Sequence, residues 1–380
     1  MKKRRDILTI AIFLLIIFGL GIAFFVMPDI ANSRTERRLM ARPPVVSAGG
    51  ILSGQTMTDL EPYMQDQFPA RELFRTINAM TRRYALGQRD HNGYFLAGGH
   101  LSQMEHPLND AAAIENARWL AGMSHNLFQG MNVFYAIIPD KNYFLAPSHG
   151  FLHLDYYEFM EIIHRYMGSH NYIDLFEIMS LDDFYRTDIH WRQEALHPIA
   201  EHIANAMGAT LPPADSFTSH TLPNFRGNFH GAAALPVRAD ELVFLTNQYT
   251  ENAIVHTLME QNREFVFSRY VTFQGEELRL GVYNPRLFEG LDGYDMFLAG
   301  AQAIITVYAP NAATDRELII FRDSFGSSIA PLFLGGYSKI TLVDIRYISS
   351  HLLSNFIDFN DQDILFLYSV PILNRGGLFR

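Results

Sequence analysis

Short apolar runs alternate along this chain with stretches of helical spacing, and that alternation narrows the folds open to it more than any other feature. Residues 131–138, 172–175, 318–321, 340–343 and 363–368 read as strands, and 111–128, 156–167, 193–207 and 350–357 as helices. The strands lack the polar alternation of a half-exposed sheet, so they are predicted to be buried on both faces. That predicts an α/β fold with a parallel sheet covered by helices. In such a sheet, reactive groups gather beyond the carboxyl ends of the strands. Residues 209–300 break the rhythm with Pro, Asn, Gly and His clusters and β-like runs at 241–246, 265–272 and 278–283; they are expected to be a β-rich insertion. His220, His230 and His256 within it lack the short spacings of metal ligands, so no metal site is assigned.

The amino terminus has a different logic. Lys2-Lys3-Arg4-Arg5 precedes an uncharged apolar run from Ile7 to Met27. A run of that length rises about 30 Å as a helix, enough to cross a bilayer core. The basic cluster predicts a cytoplasmic tail over 1–6, a transmembrane anchor over 7–27 and an extracytoplasmic body. A cleaved signal peptide is the rival; the run is longer than an ordinary signal core and no small-x-small site follows it directly. Residues 28–85 read as a stalk and lead-in, with a helical patch over 60–84, and 86–380 as the main domain, opening on a short strand at 93–96. The formal charge is −10, and the +3 before Ile7 leaves −13 for the rest, which argues against attraction to nucleic acid or anionic lipid. The absence of cysteine removes thiol nucleophiles and thiolate metal sites.

Two segments carry the side chains of a nucleophilic relay. Asp188 and His190 are two apart, so an extended segment would point both to one side and let the carboxylate orient the imidazole. Ser324 follows the apolar strand 318–321 and precedes Gly326 and Pro331, the composition of a strand-to-helix elbow. A serine there stands beside free backbone N–H groups, and an imidazole would activate it. Helix capping by Asp323 and Ser324 explains the same residues. Lys141 after the first core strand, Trp191 beside His190, and Arg322 two before Ser324 are the substrate-contact candidates. For each there is a second explanation: a solvated loop for Lys141, packing for Trp191 and a structural ion pair for Arg322.

The chain resembles the DHHW family of bacterial extracytoplasmic proteins, related to the alginate O-acetyltransferases of the SGNH-hydrolase-like superfamily. The resemblance rests on Tyr185, Thr187-Asp188, His190-Trp191 and the block Arg322-Asp323-Ser324-Phe325. Smaller matches are Asp66-Gln67-Phe68-Pro69-Ala70-Arg71, Ile138-Pro139-Asp140-Lys141, Tyr283-Asn284 and Tyr294-Asp295. It implies an SGNH-like catalytic domain over 86–380 with Asp188, His190 and Ser324 as its triad. Ile189 stands where the family name implies a second histidine, and Ala299-Gly300-Ala301 where relatives carry a Gly-Gly-Asn-like segment.

The function so implied is that of an extracytoplasmic O-acetyltransferase or acetylesterase acting on a cell-surface or secreted polysaccharide, without a cofactor. A membrane protein that delivers acyl groups is the implied partner, and no nucleic acid is. The alternative is a polysaccharide-binding or assembly protein that keeps the fold without the chemistry.

Overall fold

The computed structural model describes residues 2–261 and 263–379. Backbone contacts divide the chain into two units, residues 1–91 with 230–236 and residues 92–229 with 237–380.

In the first unit, helix α1 (Lys2–Val26) is long and apolar enough to cross a membrane, or to act as a signal sequence. The helical patch predicted over 60–84 is broken in two, α2 (Gln55–Asp66) and α3 (Arg71–Met80), and α3 runs on into a wider turn over Thr81–Ala85. The break has a local cause. Pro69 disfavours helix at Phe68, and Ala70 adopts a left-handed φ of 56°. The centre of this unit is polar. Asp66 takes both Arg38 guanidinium nitrogens at 2.7 and 2.5 Å and the Ala41 N–H at 2.8 Å, and Arg38 holds its carboxyl down at about 2.

The second unit is built on an eight-stranded sheet. Its strands are β1 (Val133–Ile138), β2 (Asn171–Ile173), β3 (Ile254–Gln261), β4 (Glu264–Ser268), β5 (Ile304–Tyr308), β6 (Glu317–Arg322), β7 (Lys339–Val343) and β8 (Asp363–Ser369). They lie in the order β4-β3-β5-β7-β6-β8-β1-β2. The five from β7 to β2 are parallel, as the apolar runs predict. The other three pair antiparallel, so the sheet is mixed and mostly parallel. The antiparallel wing draws β3 and β4 from the region expected to be an insertion. Their register brings Gln261 opposite Glu264, a pairing so close in sequence that only antiparallel strands permit it.

Helices α4 (Asp110–Leu127) and α6 (Tyr156–Met167) cover one face, where Ile319 and Phe321 of β6 pack with Ala117, Leu120, Phe159 and Ile163. Between them in sequence, α5 (Lys141–His149) follows β1. Helix α7 (His197–Ala206) covers the other face, where Leu318 and Ile320 pack with Ile199 and Ile203. Strand β6 is apolar from Leu318 to Phe321 because each face meets its own helix layer. The predicted helix 193–207 is shorter than expected, because Pro198 starts α7 afresh after a 3₁₀ turn over Gln193–Ala195. The predicted helix 350–357 is a 3₁₀ turn over Ser350–Asn355. A separate antiparallel ribbon pairs Thr218–Phe225 with Asp240–Thr246.

Candidate active site

Ser324 lies just past the carboxyl end of β6, a central strand with parallel neighbours on both sides. Asp323 fixes the elbow. Its carboxylate accepts the Phe325 N–H at 3.0 Å and, from the end of β8, the Ser369 N–H at 2.8 Å and hydroxyl at 2.6 Å. The chain then enters a short helical turn, Gly326–Ile329.

His190 comes from a loop pinched between Phe184 and Trp191, which form an antiparallel bridge. Within it Asp188 and His190 are not extended, as the sequence suggested, but bent. The Asp188 Oδ1 atom accepts the His190 backbone N–H at 3.0 Å, the i-to-i+2 bond that short acidic side chains favour in turns. The bend still brings the two side chains together. His190 Nδ1 lies 2.6 Å from Asp188 Oδ1, and His190 Nε2 lies 2.7 Å from Ser324 Oγ. Asp188 and His190 are buried, and Ser324 is half-buried.

The ring of His190 stacks on Tyr294, with centroids 3.8 Å apart and planes 7° apart. Tyr294 Oη donates to Ser328 Oγ at 2.7 Å, and Trp191 Nε1 donates to the same hydroxyl at 2.9 Å and to the Phe325 carbonyl at 3.1 Å. Ser328 thus ties the histidine loop to the serine elbow.

The other sequence candidates have structural surroundings. Trp191 is fully buried in the core, where its indole braces the elbow. Arg322 is buried too, with its guanidinium donating to the Asp323 carbonyl at 3.2 Å and the Gly300 carbonyl at 3.3 Å, 3.9 Å from Asp344. Burial lowers its pKa, opposed by Asp344. Lys141 is equally buried. Its Nζ donates to the Tyr185 carbonyl at 3.0 Å and the Arg186 carbonyl at 3.4 Å, and lies 4.7 Å from the centre of the Phe229 ring. Burial pushes its pKa down to about 7, against the pull of Asp188, Asp240 and Asp140. All three side chains support the loop and elbow, and none presents its head group to solvent.

Three residues outside both motifs complete the loop. The Asp240 carboxylate collects the N–H groups of Arg186 and Thr187 at 2.9 and 2.8 Å and the Thr187 hydroxyl at 2.6 Å. Asn228 donates its N–H to Asp188 Oδ2 at 2.9 Å and accepts the Ile189 N–H at 3.1 Å. Gly227 passes so close that a Cβ there would fall 2.3 Å from the Asp188 Cα. No local signal marks any of them, because each acts across dozens of residues. At 298–300 the backbone takes three successive left-handed conformations, with φ of 53°, 57° and 72°. Glycine is favoured at 300, since a Cβ there would press on the Asp295 side chain, 2.1 Å from its Oδ1.

No family model matches this sequence, and no curated protein matches it significantly. Solved structures do. A DHHW family protein from Eubacterium siraeum aligns over 76% of this chain and 94% of its own, with a TM-score of 0.55 and 18% identity. The two share a fold. Bacillus cereus PatB1, solved with a sulfonyl adduct, covers 76% of this chain and 97% of its own, with a TM-score of 0.55 and 16% identity. The O-acetyltransferase domain of Pseudomonas putida AlgJ aligns over 75% of this chain and 94% of its own, with a TM-score of 0.43 and 12% identity.

Proposed function

We propose that this protein is a serine acyl-transfer enzyme, an O-acetyltransferase or acetylesterase. Its substrate would be a cell-surface or secreted polysaccharide, met outside the cytoplasm. The observation that carries the reading is the continuous relay Asp188–His190–Ser324, at 2.6 and 2.7 Å. In the proposed reaction the Ser324 hydroxyl proton passes to His190 Nε2 as Oγ attacks the acetyl carbonyl carbon. Asp188, accepting at Nδ1, fixes the tautomer that leaves Nε2 free to take the proton, and it stabilises the imidazolium. Collapse of the tetrahedral species breaks the ester bond. His190 then returns its proton to the leaving oxygen, and the acetyl group stays on Ser324. A sugar hydroxyl or water, deprotonated by His190, takes the acetyl group in a second addition and elimination. The Ser324 N–H at the elbow is the oxyanion donor proposed here, since 299–301 brings no side-chain amide.

Helix α1 would anchor the chain with its basic end in the cytoplasm, and the acetyl group would come from a membrane protein that delivers it. A second reading, a polysaccharide-binding protein without turnover, is favoured by that missing amide.

The test is acetate release from an aryl acetate by the full-length protein, compared with Ser324→Ala. A sulfonyl fluoride is the matching covalent probe, since an activated hydroxyl displaces fluoride from sulfur, and mass spectrometry should locate the adduct on Ser324. Wild-type turnover by Ser324→Ala would sink the mechanism. Tight polysaccharide binding with no turnover of any ester would favour the second reading.

A further inference from the structure

Helix α3 faces the wrong way for a helix in water. A surface helix of a soluble unit turns its apolar stripe inward and its charges outward. Here Arg71 and Arg75 reach Glu36 at 2.7 and 3.1 Å, and Arg75 also donates to the Gly231 carbonyl at 2.6 Å. The apolar residues left outward are Leu73, Phe74, Ile77 and Met80, with Tyr84 beyond them, exposed by 40 to 66%, and Glu72 and Asn78 are exposed beside them. Positions 73, 77, 80 and 84 have the spacing of a single helical stripe. An apolar stripe on this scale marks an interaction site, because water is a poor solvent for it.

Two observations say what covers it. The first is continuity: Leu20, Phe24 and Met27 at the end of α1 line one cavity of about 1100 Å³ with Met64 and Phe74. Phe74, with Arg71, Arg75 and Asn78, thus places α3 beside the end of the apolar helix, with the stripe on the face turned away from it. The second is charge. Beyond Arg71 and Arg75, which are paired with Glu36, residues 76–89 contain three arginines and no acidic residue, a local +3 in a chain of formal charge −10. The average charge, which argues against anionic lipid, hides this segment.

We infer that α3 and the turn that follows lie in the interface of the membrane that α1 enters. The stripe from Leu73 to Tyr84 is buried among acyl chains, and Arg82, Arg83 and Arg89 meet anionic headgroups. The segment expected to be a stalk is instead a collar that holds the chain flat on the bilayer at its exit point. The inference rests on the reading of α1 as an anchor, and the experiment separates the two.

The chain contains no cysteine, so single-cysteine variants carry a single dye. Full-length Ile77→Cys and Ile12→Cys proteins, labelled with an environment-sensitive dye, are placed in phosphatidylcholine–phosphatidylglycerol nanodiscs containing spin-labelled lipid. The dye at 77 should lose about half its emission or more, and a spin label near the glycerol should quench it better than one at the chain end. The dye at 12 should show the reverse order. Arg82→Gln and Arg83→Gln should each lower the inserted-to-free ratio of the 77 dye about fivefold. Quenching at 12 without quenching at 77 overturns the collar and leaves the anchor. Failure at both positions overturns both. Quenching at 77 that appears only after a second membrane protein is added assigns the stripe to a protein and overturns the lipid contact.

Discussion

Asp240 takes the Thr187 hydroxyl at 2.6 Å and the Thr187 N–H at 2.8 Å, so a residue far along the chain fixes the backbone immediately before Asp188. Losing that carboxylate would strand three donors in a buried site. Asp240→Ala should therefore lower kcat for an aryl acetate about tenfold to a hundredfold, because the imidazole is no longer held in line. The KM should change little. Wild-type kcat with retained circular dichroism would show that the clamp does not position the loop.

The three residues of the relay should act as one device. Ser324→Ala and His190→Ala should each remove most activity, and the double variant should be no worse than the poorer single one. Multiplicative losses, measured with the same aryl acetate, would mean that serine and histidine work separately.

Gly227→Ala places a methyl group against the Asp188 backbone, where no flexible side chain can yield. The loop must shift. We expect a stability loss of about 1–3 kcal/mol in denaturant, with activity falling further than stability explains. An active, equally stable variant would show that the loop tolerates displacement.

Asp140 and Lys141 give stability a characteristic pH dependence. Burial raises the Asp140 carboxyl from 3.8 to about 7, although it accepts the Tyr156 hydroxyl at 2.5 Å. Across that window the folded chain holds a proton that the unfolded chain has lost, so stability falls as pH rises, by up to about 4 kcal/mol. Lys141 has the opposite sign. With its pKa depressed from 10.5 to about 7, the unfolded chain binds the extra proton above neutrality, and stability recovers as pH rises further. Asp140→Asn should remove the falling limb and Lys141→Met the rising one, read from denaturant midpoints across pH. A wild-type profile in either variant would refute the assignment.

What the sequence disclosed depended on how local its cause was. Ser324 could be placed at a strand end because 318–321 is apolar on every residue, and helix 156–167 shows its period in full. The pairing of Asp188 with His190 was legible from spacing, although a bend makes it and not an extended segment. Trp191, Lys141 and Arg322 were found as neighbours of the motifs, but their buried surroundings were not readable, because burial is decided by other elements. Asp240, Asn228 and Gly227 left no trace, since their partners lie dozens of residues away. The antiparallel wing was legible in part. Strand β4 overlaps the β-like run 265–272, whereas β3 is half-exposed along much of its length and its apolar signal thins.

The position of β6 between β7 and β8 has a consequence for biosynthesis. Both of its partners are encoded after it, and the Asp323 carboxylate draws two of its three hydrogen bonds from Ser369, at the end of β8. A ribosome therefore completes the histidine loop's own segment long before the nucleophile's strand can be flanked. The relay's strand is flanked only once β7 and β8 have been made, and a chain halted before residue 369 would have the serine but not the two Ser369 bonds that hold its elbow.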